Sequence, residues 1–105
     1  MKTSVWLLAL ALLMESAGGV QAADTASGGA LARQLCVNCH VVAPGEAGTA
    51  MTAGIPSFKS IANKPGQMVE KAQDFILSPH PPMPQVQLTN IERINLAAYI
   101  LSLKD

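Results

Sequence analysis

The sequence predicts an all-α domain, and three observations predict it. Two long stretches repeat their apolar residues at helical spacing. No stretch alternates apolar and polar residues as a half-buried strand would, and no block of sequence repeats itself. The segment after the first 22 residues, 23–105, is one domain that is small for folding on its apolar surface alone, so its helices are expected to close around a disulfide, a metal or a cofactor.

The elements follow in order along the chain. Residues 1–22 read as a secretory signal peptide that is removed. Met1-Lys2 gives a basic start, Val5 to Met14 is an unbroken apolar run, and Val20-Gln21-Ala22 supplies the small-residue exit, with cleavage after Ala22, or after Ala23. The apolar run is far short of the about 20 residues a membrane span requires. Gly28 to Asn38 reads as the first helix, rich in Ala, Leu and Gln. Val41 to Ala53 is a Gly/Ala/Thr loop, and Pro56 to Ala62 a short helical turn. Pro65 to Leu77 reads as a long helix with Pro65 in its first turn and Met68, Ala72, Phe75 and Ile76 along one apolar face. Ser78 to Gln87 is a proline-rich loop. The last helix starts at Thr89, where Thr89 and Glu92 have capping-box spacing, and Ile91, Ile94, Ala98 and Leu101 form its expected stripe, with Leu96, Tyr99, Ile100 and Leu103 on neighbouring faces.

Charge narrows the function. Seven basic and seven acidic side chains leave a formal net charge of +0, so no basic surface points to nucleic acid. Long-range electrostatic steering of a charged partner does not follow either.

The chain's two cysteines stand in Cys36-Val37-Asn38-Cys39-His40. This C-x-x-C-H pattern is the attachment site of c-type haem. Two thiols on one turn reach the two vinyl groups of one porphyrin, and the following His40 turns its imidazole to the iron. Other readings of the pair are a structural disulfide, which would close too small a loop to hold a fold, and a zinc site, which needs a fourth ligand for which His80 is the obvious candidate. A thiol oxidoreductase is a further reading, but it expects a βαβ pattern that this sequence lacks.

Haem iron in an electron carrier takes a second protein ligand, and a thioether raises the reduction potential. Met83 is the candidate, because Pro81, Pro82 and Pro84 stiffen the segment that holds it. His80 is the alternative, as a bis-histidine ligand. Met68 reads as a core filler, and Met51 lies in a stretch without rigid support.

Across nearly all of residues 23–105 the chain resembles the small class I cytochromes c: helix, C-x-x-C-H, loop, helix, methionine loop, terminal helix. The resemblance implies a helical fold wrapped around one covalent haem c. It implies Cys36 and Cys39 as thioether donors and His40 and Met83 as axial ligands. Gly28 stands where the family's terminal helices cross, with Leu96 and Tyr99 as expected partners, while Ala32 replaces the family's usual aromatic. The family places a proline carbonyl against the haem histidine; here Pro44, Pro56 or another carbonyl takes that role. The family's propionate-binding Trp is absent, leaving Ser57, Ser60, Asn63, Lys64 and Gln67 as candidate donors.

The function so implied is one-electron transfer between transient donor and acceptor proteins, not enzymatic turnover. The alternative is a labile sixth site, as in a peroxidase or a gas sensor. The chain is expected to be exported, periplasmic in a bacterial source, without stable membrane insertion after cleavage, and a monomer or a small subunit of a redox complex. The Val41-Val42-Ala43 segment reads either as a docking patch or as packing over the haem.

Overall fold

The computed structural model describes residues 23–46, 54–79 and 81–105. The expected leader 1–22, Met51 and His80 lie outside them. The described residues hold four helices and no strand: α1 (Thr25–Leu35), α2 (Phe58–Ala62), α3 (Val69–Leu77) and α4 (Asn90–Ser102). The all-α expectation holds for them.

α1 begins three residues before the sequence pattern places it. Asp24 is the reason: its carboxylate accepts from the Ser27 backbone N–H at 3.1 Å and from the Ser27 hydroxyl at 2.8 Å. That cap satisfies groups the helix start would leave unpaired and offsets the glycines that follow. The helix ends at Leu35 instead of Asn38, because Cys36 to His40 tighten into turns, with the Cys39 and His40 N–H groups donating to the Cys36 carbonyl at 3.1 and 2.9 Å.

α3 is shorter than the pattern suggests. Lys64-Pro65-Gly66-Gln67 is a turn closed by Gln67 N–H to Lys64 C=O at 3.0 Å, with Gly66 at φ 72°. Proline at the second position and a left-handed glycine at the third are the signature of a type II turn, which a right-handed helix cannot run through. The helix therefore starts at Val69, with Met68 as an N-cap that makes no side-chain hydrogen bond. Of the expected apolar face, Ala72 and Ile76 are buried, but Met68 is 47% and Phe75 54% exposed. Met68 is not the core filler the periodicity suggests, and Val69 takes the inner position.

α4 carries the capping box: Thr89 Oγ1 accepts from Glu92 N–H at 3.2 Å and Glu92 Oε2 accepts from Thr89 N–H at 2.8 Å. This helix packs against all three others, so its buried residues do not follow one stripe. Asn95, Leu96, Ala97 and Ile100 are buried, whereas Ile91 is exposed. The inner face is thus rotated from the expected Ile91–Leu101 stripe onto what read as its neighbours.

α1 and α4 cross at Gly28. A Cβ there would lie 2.0 Å from the Asn95 carbonyl oxygen and 2.8 Å from Tyr99 Cβ, so only glycine fits between the two backbones. Ala32, fully buried, continues the small-residue face one turn on. The atoms nearest Gly28 across the crossing belong to Asn95 and Tyr99, and Leu96 is buried in the same core as Ala32 of α1. Asn95 Oδ1 also accepts from the Asp24 N–H at 2.9 Å, tying the start of α1 to α4. Val42 is 1% exposed within the core, so it is packing and not a docking surface.

Candidate haem site

The structure gathers Cys36, Cys39 and His40 on the turn that leaves α1. Both thiols are free and partly exposed. Burial first, then the neighbouring Cys39, pushes the Cys36 thiol up to about 11. A raised value is the reverse of what thiol oxidoreductases need, since they lower the pKa of the attacking thiol. Among the described residues no group of three His, Cys, Asp or Glu side chains converges as a metal cluster, and His80, the fourth ligand of the zinc reading, lies outside them.

His40 is held by a specific contact. Its Nδ1 lies 2.6 Å from the Pro56 carbonyl oxygen. A carbonyl only accepts, so Nδ1 carries the proton and donates, and the lone pair of the neutral ring sits on Nε2. This answers which carbonyl serves the histidine: Pro56, not Pro44. The sequence left Pro44, Pro56 or another carbonyl open, and the fold decides it by folding the 54–58 segment back over the turn.

The same segment grips the residues that follow. Phe58 N–H donates to the Val41 carbonyl at 3.0 Å, and the Phe58 ring stands 5.2 Å from the His40 ring, tilted by 46°. Phe58 meets Tyr99 edge-on at 6.5 Å, and the Tyr99 hydroxyl donates to the Val42 carbonyl at 2.6 Å. Three successive residues, through the His40 ring and the Val41 and Val42 carbonyls, are thus tied to three different anchors, Pro56, Phe58 and Tyr99. Phe58 and Tyr99 were readable as apolar residues, but nothing in their spacing tied them to His40.

Met83 lies on a separate element, the turn that precedes α4, and is half-buried. Its segment has the proline frame expected of it, with Pro81-Pro82 in cis. The candidate propionate donors are engaged locally. Ser57 Oγ caps α2 by accepting from Ser60 N–H, and the Ser60 hydroxyl donates to the Ser57 carbonyl. Asn63 donates to the Lys59 carbonyl, and Gln67 to the Ile61 carbonyl. The Lys64 ammonium sits 5.7 Å above the Phe75 ring.

The donor set fits a covalently held haem: two unpaired thiols on one turn, and an adjacent imidazole whose protonated nitrogen is already engaged, leaving the other for iron.

No family model matches the chain, and no solved structure does. Over 97 residues, 92% of this chain and 90% of the relative, it is 43% identical to cytochrome c-552 of Bradyrhizobium diazoefficiens. Identity at that level over almost the full length of both proteins, on a helical fold with the C-x-x-C-H turn in place, makes the chain a member of the small bacterial class I c-type cytochromes, mono-haem electron-transfer proteins that hold haem c covalently.

Proposed function

We propose that this cytochrome carries electrons between redox partner proteins with its haem bound through Cys36 and Cys39 and its iron between His40 Nε2 and the Met83 thioether. The observation that carries the reading is the hydrogen bond from His40 Nδ1 to the Pro56 carbonyl, which fixes the tautomer and leaves the lone pair on Nε2. The bound haem supplies a ferric/ferrous couple; the protein supplies the rest. Pro56 keeps electron density on the imidazole. Pro81, Pro82 and Pro84 would hold Met83 with little freedom to leave a bound haem, so that exchange of an electron would need little rearrangement of the chain. A filled site makes a carrier, not a catalyst.

The absence of net charge suits brief encounters with partners of either sign. Among the described residues no helix is long and apolar enough to cross a membrane. With residues 1–22 removed as a signal peptide, residues 23–105 act as a single exported domain on the periplasmic side of a bacterial membrane.

Optical spectra of the purified holoprotein test this. Sharp ferrous α and β bands and a weak far-red ferric band from thioether ligation are expected, with that band lost and the reduction potential lowered in Met83→Ala. A high-spin ferric spectrum in the wild type, or immediate binding of carbon monoxide by the ferrous form, would remove Met83 from the iron.

A further inference from the structure

We propose that Phe58 is a positioning residue for His40, fixing the plane of the imidazole that the Pro56 carbonyl anchors at only one atom. The proposal rests on the reading of His40 as an axial ligand. A ring hydrogen-bonded through Nδ1 alone can still rock about its Cβ–Cγ bond, since hydrogen-bond directionality at a carbonyl is broad. Stopping that motion takes a second contact away from the axis. The Phe58 ring provides it, 5.2 Å from the imidazole and tilted by 46°, within the range in which aromatic rings attract beyond their shared area.

Phe58 is itself immobilised. It is buried, its N–H is bound to the Val41 carbonyl at 3.0 Å, and its ring also makes an edge-type contact with Tyr99, the centroids 6.5 Å apart. Tyr99 in turn is held at its hydroxyl by the Val42 carbonyl at 2.6 Å. The wall behind His40 is therefore built from two helices, α2 and α4, and is tied back to the two residues after the histidine. The imidazole plane relative to the iron decides how ligand and metal orbitals overlap, and groups behind a ligating histidine tune the metal by setting that plane.

Ferrous wild-type holoprotein and the ferric variants Phe58→Leu and Ile76→Val test this. Ile76 is a buried α3 residue outside the His40 wall, so Ile76→Val serves as a core perturbation without a positioning effect. In the ferrous wild type, nuclear Overhauser contacts are expected between the Phe58 ring protons and those of His40. In the ferric state, Phe58→Leu is expected to shift both the electron paramagnetic resonance g-values and the hyperfine-shifted imidazole signals, with Ile76→Val leaving them in place. Absent contacts, a Phe58→Leu spectrum that superimposes on the wild type, or an equal shift in Ile76→Val would overturn the proposal. Should Phe58→Leu not fold, the wild-type contacts decide alone. If the wild type itself gives no low-spin signal and no imidazole resonance shifted by haem, the ligand reading fails first and takes this one with it.

Discussion

Replacing Gly28 by Ala adds one methyl group and should cost far more than a methyl usually does. The new Cβ would sit 2.0 Å from the Asn95 carbonyl oxygen and 2.5 Å from its carbon. Non-bonded contacts settle near about 3.5 Å, so α1 and α4 must part by more than an ångström, and a gap of about 1 Å forfeits up to roughly half of each dispersion contact along the crossing. Overpacking of this kind costs about 1–3 kcal/mol where side chains can yield, and here the obstacle is backbone. Separation also weakens the Asp24–Asn95 hydrogen bond, about 1 kcal/mol. Ala returns about 1 kcal/mol of helix propensity. The net loss is about 3 kcal/mol, and a small domain of this kind has only about 5–10 kcal/mol to lose. Guanidinium unfolding of the ferric protein, followed by far-ultraviolet circular dichroism, measures it. Gly29→Ala is the comparison: its Cβ would meet the flexible end of Arg33 at 3.0 Å and the Tyr99 ring at 3.1 Å, so the neighbours need to yield by only a few tenths of an ångström and its cost should stay below about 1 kcal/mol. A Gly28→Ala loss under about 0.5 kcal/mol, or a larger loss for Gly29→Ala, would refute the close-crossing argument.

Three further outcomes follow from the caps and turns. Thr89→Ala removes the acceptor for Glu92 N–H and should destabilise the protein by about 1 kcal/mol, readable as a lower denaturation midpoint at unchanged slope. Gly66→Ala forces φ 72° on a residue with a Cβ and should cost about 1–2 kcal/mol, although the position has room for the methyl, its nearest neighbour being Lys71 Nζ at 3.5 Å; an unchanged midpoint would show that the turn relaxes. Hydrogen bonds from the Ser27 hydroxyl, then from its N–H, hold the Asp24 carboxyl below its ordinary 3.8, so its contribution is complete above that pH and is lost as pH falls through the lower folded value. The stability difference between wild type and Asp24→Asn should therefore shrink on acidification below pH 3.8, and a difference constant across that range would contradict the cap.

The C-x-x-C-H turn, the Thr89 capping box and the helical class were legible because each depends on residues close in sequence. The crossing glycine was legible only through family resemblance, since a glycine near a helix start looks the same whether it is a breaker or a contact. What sequence could not supply was set by distant packing. The inner face of α4 lies where three helices meet, so no single periodicity describes it. Pro44 and Pro56 are chemically equivalent candidates until the 54–58 segment folds back on His40. Two misreadings were avoidable. Asp24 and Ser27 have the spacing of a helix cap, and Lys64-Pro65-Gly66-Gln67 spells a turn that argued against starting α3 at Pro65.

The crossing at Gly28 joins the first described helix to the last, and the Asp24–Asn95 hydrogen bond spans 71 residues. A chain made from its N-terminus therefore cannot complete this contact until α4 has emerged, because α1 has its crossing partner only there. Bringing such distant segments together carries the entropy of closing a long loop, which grows slowly with length but falls due all at once. Until that closure, Tyr99 is not yet seated on Val42, and the wall behind His40 lacks its outer layer. The docking of the final helix thus closes the Gly28 crossing and completes the wall behind His40 in the same event.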